Sequence, residues 1–189
     1  MARNITEFRS PDRCVIGTVG MPGERTFYIQ VRQDQMLTSV ACEKQQASVL
    51  AERIEQLLEQ VESSTEFGAE FSSTGERISS DDDPLEMPLI EEFRVGAMAL
   101  GWDDSVNAVV IELHAIAVEG EAVPDIAEDD GEGPDTVRIW LAPEQARAFA
   151  ARGNAVVNAG RPPCPFCQQP LDPSGHICPR ANGYRRRDI

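Results

Sequence analysis

The chain has 189 residues, of which 41% are hydrophobic, and a net charge of −15 at pH 7. This is enough apolar material for one ordinary domain with a small appendage. No stretch approaches the roughly 20 continuous apolar residues of a membrane span, and residues 1–11 lack the apolar region of a secretion signal. The five cysteines are scattered, unlike those of a secreted disulfide scaffold. We therefore expect a cytoplasmic protein without a membrane partner.

The first half of the chain predicts three strands and a helix. The three predicted strands have either alternating or continuous apolar residues and are separated by turns; they lie at residues 14–20, 25–31 and 36–42. Apolar residues then recur at spacings of three and four from residue 43 to residue 61, which is the pattern of an amphipathic helix. Residues 63–89 are rich in Ser, Glu and Asp and show little period, so they predict an acidic linker.

The second half predicts the same order of elements. Residues 93–102, 106–118 and 136–141 form three predicted strands, and a helix follows from residue 142 to about 159. A proline in its first turn is favourable, because the missing N–H would have no partner there. The insert at residues 119–135 carries eight acidic and no basic residues.

This matching order predicts an internal duplication. Residues 1–62 and 90–160 would each form a β-β-β-α repeat, with Gln46-Ala47 aligned to Gln145-Ala146 and Gly17 to Gly96. The predicted fold class is α+β, two such repeats followed by a small zinc-ribbon-like module. One sheet and a pseudo-twofold pair of sheets are both compatible with this pattern.

The predicted zinc-ribbon-like module is the cysteine-rich, mildly basic tail at residues 161–189. Cys164 and Cys167 form a Cys-x-x-Cys knuckle, and His176 and Cys178 return after eight residues as His-x-Cys. Four such ligands suit a tetrahedral zinc ion. Because the protein would fill all four positions, we expect a structural rather than a catalytic metal, on which folding of the module depends.

Three alternatives compete with zinc at these cysteines. A redox Cys-x-x-Cys usually opens a helix, whereas this one lies among prolines after the last helix. Iron prefers a more cysteine-rich ligand set than three thiols and one imidazole. A cluster of buried thiols without metal is the third explanation. The number and proximity of the ligands favour zinc over all three.

Other reactive side chains are predicted to be structural. Cys14 and Cys42 lie in apolar strands and are expected to act as small buried hydrophobes. His114 lies in the apolar second strand of the second half, where a core or surface histidine is commoner than a general base. The acidic runs at residues 81–83 and 128–130 are typical of solvated loops rather than of cation sites. No catalytic residue is therefore predicted.

Short motifs are spread over nearly the whole chain. They lie at residues 11–27, 43–46, 92–96 and 145–149, and in the tail Arg-Pro-Pro-Cys-Pro-x-Cys … Gly-His-x-Cys-Pro-Arg-Ala-Asn-Gly-Tyr at 161–184. Together they resemble an uncharacterised actinobacterial family whose members are described as repeat proteins. The resemblance implies a repeat architecture and no particular activity. The chain departs from the family at Cys14, where an aromatic residue is common, and at Gln168, where glycine is common.

Three functional hypotheses follow. The first is a non-enzymatic interaction or adaptor protein, whose zinc module presents a basic and aromatic tail to another protein through Arg180, Tyr184, Arg185, Arg186 and Arg187. The second is a nucleic-acid-binding protein, which the net charge of −15 disfavours. The third is an enzyme or sensor that acts on an anionic ligand, provided that the fold brings together Arg13, Arg25 and Arg94.

Overall fold

A computed structural model describes residues 3–64, 81–117, 133–160, 164–167, 178 and 180. The strands are β1 (Ile5–Phe8), β2 (Arg13–Val19), β3 (Thr26–Gln33), β4 (Met36–Cys42), β5 (Glu91–Asp103), β6 (Ala108–Ala115) and β7 (Thr136–Leu141). The helices are α1 (Lys44–Ser63) and α2 (Pro143–Asn158). Most of the predicted acidic linker and acidic insert, together with His176, Tyr184 and the arginines at 185–187, lie outside the described residues.

The seven strands form one mixed sheet in the order β1-β7-β6-β5-β4-β3-β2. β2, β3 and β4 form one antiparallel meander, and β5, β6 and β7 form another. The two meanders join through the parallel pair β4 and β5. The predicted mixed α+β class is confirmed, and the two halves of the chain share a single sheet.

Strand β1 was not predicted from the sequence. It has only four residues, and it pairs in parallel with β7, a partner about 130 positions away in the chain, with Ile5 opposite Thr136. The main-chain N–H of Thr136 donates to the Asn4 carbonyl at 2.8 Å, just before the strand begins. Phe8, the last residue of β1, is fully buried. Such a short strand is stabilised by its distant partner and carries little local signal.

Both helices lie on one face of the sheet, here called the helix face, where the hydrophobic core is formed. Alternate residues of each strand point to this face because the side-chain period of a strand is two. Its largest contributors from the sheet are Phe8, Ile16, Ile29, Ile111, Leu113, Ile139 and Leu141, and from the helices Ile54, Leu58 and Phe149. These residues come from both halves of the chain, so the halves share one core.

The two helices begin with the same side-chain contact. Gln46 accepts a hydrogen bond from the main-chain N–H of Glu43 at 2.8 Å, and Gln145 accepts one from Ala142 at 3.2 Å. Each side chain caps an otherwise unpaired N–H at the start of its helix. The amide of Gln46 also donates to the Val95 carbonyl at 3.1 Å, and that of Gln145 to the Pro11 carbonyl at 3.0 Å. Both glutamines therefore tie a helix to a distant part of the backbone.

Residues 81–88, here called the strap, run from the edge strand β2, beside α2, across the opposite face of the sheet, the back face. Gln30 accepts a hydrogen bond from the main-chain N–H of Glu86 at 2.7 Å and donates one to its carbonyl at 3.0 Å. Leu85 lies over Gly17 so closely that a Cβ on Gly17 would be 2.6 Å from its Cδ2. The end of the predicted linker thus packs against β2 and β3.

Within the described residues, no helix is long and apolar enough to cross a bilayer.

Candidate metal centre

Three cysteine sulfurs near the C-terminal end lie close enough to share one metal ion. The Sγ atoms of Cys164, Cys167 and Cys178 lie within 4.8 Å of one another, and those of Cys164 and Cys178 are 3.7 Å apart. Two thiolates on a tetrahedral zinc ion, each with a Zn–S distance of about 2.3 Å, would be separated by about 3.8 Å. A disulfide would instead need about 2.05 Å. The spacing fits metal ligands, and all three cysteines are free thiols.

The backbone of the knuckle favours the thiolate form that binds metals. The main-chain N–H of Cys167 is the largest cause that lowers the pKa of Cys164, and the N–H of Phe166 acts in the same direction. Burial opposes them by raising the pKa, but the net direction is downward. A negatively charged sulfur is the nucleophile and metal ligand of a cysteine. The Cys-x-x-Cys turn thus makes Cys164 easier to deprotonate for metal binding.

The cluster supplies three sulfur ligands of the four predicted. Cys164 and Cys178 are buried, with 3% and 7% of their surfaces exposed, and Cys167 is half-buried. His176, the predicted fourth ligand, lies outside the described residues. Three close cysteines near the C-terminal end could therefore hold a metal ion, and the choice of zinc stays a prediction from the sequence.

The tip of the knuckle carries an exposed aromatic ring. Phe166, which lies between Cys164 and Cys167, is 60% exposed. Arg180 lies beside it, because its Nη1 donates to the Phe166 carbonyl at 3.3 Å. Of the five predicted partner-binding residues, Arg180 is the one that the structure describes.

The three arginines predicted to bind an anion are not brought together. Arg13 lies at the start of β2 opposite Arg32, whereas Arg25 precedes Thr26, which pairs with the far end of β2. Arg13 and Arg25 are therefore at opposite ends of the hairpin. Arg94 lies on β5 and pairs with Glu43 at 2.9 Å.

Arg13 already binds an acidic group of the same chain. Its Nε and Nη2 donate to the two carboxylate oxygens of Asp81 at 2.6 and 2.9 Å. It also donates to the carbonyls of Asp83 and Pro84 at 2.9 and 3.1 Å. Arg152 of α2 binds the same carboxylate at 2.8 Å. The hydrogen bonds from Arg13 are the main cause that lowers the pKa of Asp81. The role of Arg13 in the described structure is to hold the strap.

A buried polar cluster on the back face of β6 and β7 was not predicted as a unit. It contains Glu112, His114, Thr136 and Arg138, each at most 2% exposed. Arg138 pairs with Glu112 and also with Glu7 of β1, the latter at 2.9 Å. The alternation of Ile111 and Leu113 with Glu112 and His114 in the second half of β6 is the signal that places the two polar residues together on the other face.

His114 is held as a neutral ring in this cluster. The Thr136 hydroxyl donates to the Pro134 carbonyl at 3.0 Å, and its oxygen lies 2.9 Å from His114 Nδ1, within hydrogen-bond distance. His114 Nε2 lies 3.4 Å from a carboxylate oxygen of Glu112. Burial is the main cause that lowers the pKa of His114, and it outweighs the opposing effect of Glu112. The histidine contacts buried polar groups of the sheet, as expected for a core residue.

The two remaining cysteines lie within the sheet and are poor nucleophiles. Burial raises the pKa of Cys14 to about 12 and that of Cys42 to about 12. At neutral pH both side chains are protonated thiols, which pack as small apolar groups.

The fold and the cysteine cluster define a mixed α+β protein with a candidate metal site at the C-terminal end of the described chain. A family model described as Protein of unknown function (DUF3090) matches residues 6–178. The chain therefore belongs to this family. It matches none of the curated proteins and none of the solved structures with which it was compared.

Proposed function

We propose that this protein is a zinc-binding, non-enzymatic interaction protein, whose C-terminal module docks on another protein. The observation that carries the proposal is the knuckle itself. Its cysteines are spaced as metal ligands, while Phe166 at its tip is 60% exposed. An exposed ring on a rigid turn is a typical anchor for a protein partner, since little conformational entropy is lost on binding.

The metal in this proposal is structural zinc, with His176 as the fourth ligand. Two cysteines of the knuckle and Cys178 provide sulfur, and the sequence provides the imidazole two residues before Cys178. A tetrahedral site filled by four protein ligands leaves no position for a substrate. The metal would therefore fix the shape of the module and orient Phe166.

The partner in this proposal is a protein with an acidic and apolar surface. Arg180 lies beside Phe166, and the sequence that follows adds Tyr184 and the arginines at 185–187. Aromatic and arginine side chains are the residues most enriched in binding hot spots. The positive charge of this tail contrasts with the overall charge of −15, so an acidic partner would be attracted to the tail and repelled by the rest.

We also propose that the α+β body arose by internal duplication. Five buried residues of α1 have buried counterparts in α2 that follow each by 99 positions: Ala47, Leu50, Ala51, Ile54 and Leu58 against Ala146, Phe149, Ala150, Gly153 and Val157. The equivalent Gln46 and Gln145 form the same helix-start contacts. Gly17 and Gly96, aligned from the sequence, are both approached too closely for a side chain, at 2.6 and 2.7 Å.

The proposed location is the cytoplasm of an actinobacterium. The source follows from the resemblance of the sequence motifs alone. The compartment is supported by cysteine usage, because five scattered cysteines, three of them clustered as metal ligands, are unlike a secreted disulfide scaffold.

A pull-down with the tagged full-length chain tests the docking proposal. Phe166→Ala removes the exposed ring without removing a metal ligand, so we expect it to recover less of the partner proteins than the wild type. Val106→Ala is the matched control, because Val106 is 58% exposed and lies in the turn between β5 and β6. Recovered proteins are compared by quantitative mass spectrometry, after nuclease treatment.

The zinc content of each variant is measured in the same preparations. Equal recovery of partners by Phe166→Ala and the wild type, at equal zinc content, would show that the knuckle is not the docking surface. Loss of recovery on nuclease treatment would point to nucleic acid instead. A wild-type chain that contains no zinc when expressed in zinc-supplemented medium would contradict the metal assignment.

A further inference from the structure

A cavity of about 380 Å³ lies where the turn between β2 and β3 meets the start of α1 and the end of α2. The turn closes through a hydrogen bond of 2.9 Å from the Glu24 N–H to the Met21 carbonyl. Phe27 and Val157 provide an apolar wall, and both belong to the hydrophobic core. The cavity is therefore supported by the packed body of the protein.

Two basic side chains line this cavity, Arg25 and Lys44. Arg25 is half-buried, Lys44 is exposed, and Lys44 is the single lysine of the chain. Within the described ranges neither residue forms an ion pair, whereas Arg13, Arg32 and Arg94 each pair with a carboxylate. The residues that line the cavity include no acid. Two cations that pair with no carboxylate among the described residues, in a chain of charge −15, mark a site for an external anion.

The position of Lys44 fits such a site. It is the first residue of α1, where the positive end of the helix dipole favours an anion. Its Nζ would lie 3.7 Å from a Cβ placed on Gly160, just beyond the end of α2. The ammonium group therefore lies beside Gly160, at the edge of the cavity.

We propose that this cavity binds a soluble phosphate monoester, with the phosphate between Arg25 and Lys44 and a compact apolar group against Phe27 and Val157. A doubly charged anion suits two cations, and a planar guanidinium binds phosphate through two parallel hydrogen bonds. The cavity exceeds what a bare phosphate fills and falls in the size range of small-molecule sites. The acidic body would repel an anionic membrane, which favours a soluble ligand.

Isothermal titration of the full-length, zinc-loaded chain with phenyl phosphate and with inorganic phosphate tests this site. We expect saturable binding at low ionic strength that weakens as salt is added, and tighter binding of phenyl phosphate. Arg25→Gln and Lys44→Gln should each weaken the binding of phenyl phosphate about tenfold, because each removes one charged hydrogen-bonding partner. Lys44→Arg, which keeps the charge, should retain most of the affinity.

Arg53→Gln is the matched control, because Arg53 is an exposed residue of α1 that bonds Gln56 at 3.2 Å and lies away from the cavity. Circular dichroism establishes that each variant is folded. The site is refuted if the wild type shows no saturable binding, or if Arg25→Gln and Lys44→Gln bind as the wild type does. A Lys44→Gln variant that melts earlier but binds normally would assign Lys44 to stabilising the end of α2 and would also refute the site. The result is independent of the docking proposal, which concerns Phe166.

Discussion

His114 is buried as a neutral ring, and this makes the stability of the body depend on pH. Its pKa in the folded protein is lowered by burial, while Arg3 and Arg138 add to that effect and Glu112 opposes it. In the unfolded chain a histidine binds a proton near pH 6.5. Below that pH the unfolded state holds more protons, so stability is lost as the pH falls from about 6.5 towards the folded pKa. We expect His114→Asn to reduce this loss, measured as the free energy of unfolding in urea at pH 7.5 and 5.5.

The quantity compared is the change in the free energy of unfolding between pH 7.5 and 5.5. The absolute stabilities of the two proteins are not compared, because Asn also alters the contact with Thr136. One histidine that titrates only on unfolding contributes up to about 1.4 kcal/mol per pH unit. Both proteins are measured with the same zinc content, since His176 is the second histidine of the chain. An identical pH dependence in His114→Asn and the wild type would mean that His114 does not titrate on unfolding.

Contacts of a single side chain are predicted best from the sequence when both partners are close together in the chain. The cysteine knuckle was found from spacing alone, because two thiols on one turn are necessarily close. Glu112 and Arg138 lie 26 positions apart, and their pairing depends on the register of β6 and β7. The sequence groups Arg25 with Arg13 and Arg94 as anion-binding arginines, but the basic residue beside Arg25 in the cavity is Lys44, because Arg13 lies at the other end of the hairpin.

The packing of the strap depends on Arg13, and substitution of this residue tests that dependence. Arg13 is 13% exposed and forms two hydrogen bonds with Asp81. We expect Arg13→Gln to lower the free energy of unfolding by about 1–2 kcal/mol, since charged hydrogen bonds are lost in a partly buried site. Because Arg13 lowers the pKa of Asp81, this stabilisation is complete at neutral pH. It is lost as the pH falls below about 3.9, the ordinary pKa of an aspartic acid.

A double-mutant cycle with Asp81→Asn isolates this contact, and Arg53→Gln serves as the surface control. The coupling energy between Arg13 and Asp81 should exceed that of an exposed ion pair, which is at most about 1 kcal/mol. Hydrogen exchange at the Glu86 N–H reports on the strap directly, because that group bonds Gln30. A variant Arg13→Gln as stable as Arg53→Gln, with unchanged exchange at Glu86, would show that Gln30 and Leu85 hold the strap without Arg13.

At the element scale, six of the seven strands and both helices follow from periodicity. Alternation fixes the faces of β3 and β6, and the spacing of three and four fixes the buried side of α1. β1 escaped detection because its four residues gain their stability from a distant partner. The packing of the strap was not predicted, because an acidic and irregular segment resembles a linker. The surface on which it packs is formed by Gln30 and Gly17, which lie far from it in the sequence.

At the scale of the whole molecule, the core and the cysteine cluster are separate. Among the described residues, the main hydrophobic core runs from Phe8 to Val157 and includes none of the three clustered cysteines. We therefore expect Cys164→Ser to abolish stoichiometric zinc binding while the free energy of unfolding of the body changes by less than about 0.5 kcal/mol. Zinc is measured by elemental analysis, and unfolding by the fluorescence of Trp102 and Trp140.

Cys42→Ser is the reciprocal control, because Cys42 is 2% exposed and belongs to that core. A hydroxyl placed there should destabilise the body by about 1–3 kcal/mol and leave zinc binding intact. If Cys164→Ser destabilises the body as much as Cys42→Ser does, the module and the body fold as one unit. If Cys164→Ser retains one zinc per chain, Cys164 is not a ligand.

The position of β1 has a consequence for the length of the sheet. β5, the first strand of the second meander, runs parallel to β4, the last strand of the first. β1 runs parallel to β7 in the corresponding place, where the first strand of a third unit would stand. On the proposed duplication, the N-terminal segment thus terminates an array that could otherwise grow by addition of further units or of further copies of the chain. β1 replaces the longer edge that β7 would otherwise expose with an edge of only four residues, and short edge strands pair less readily with other chains.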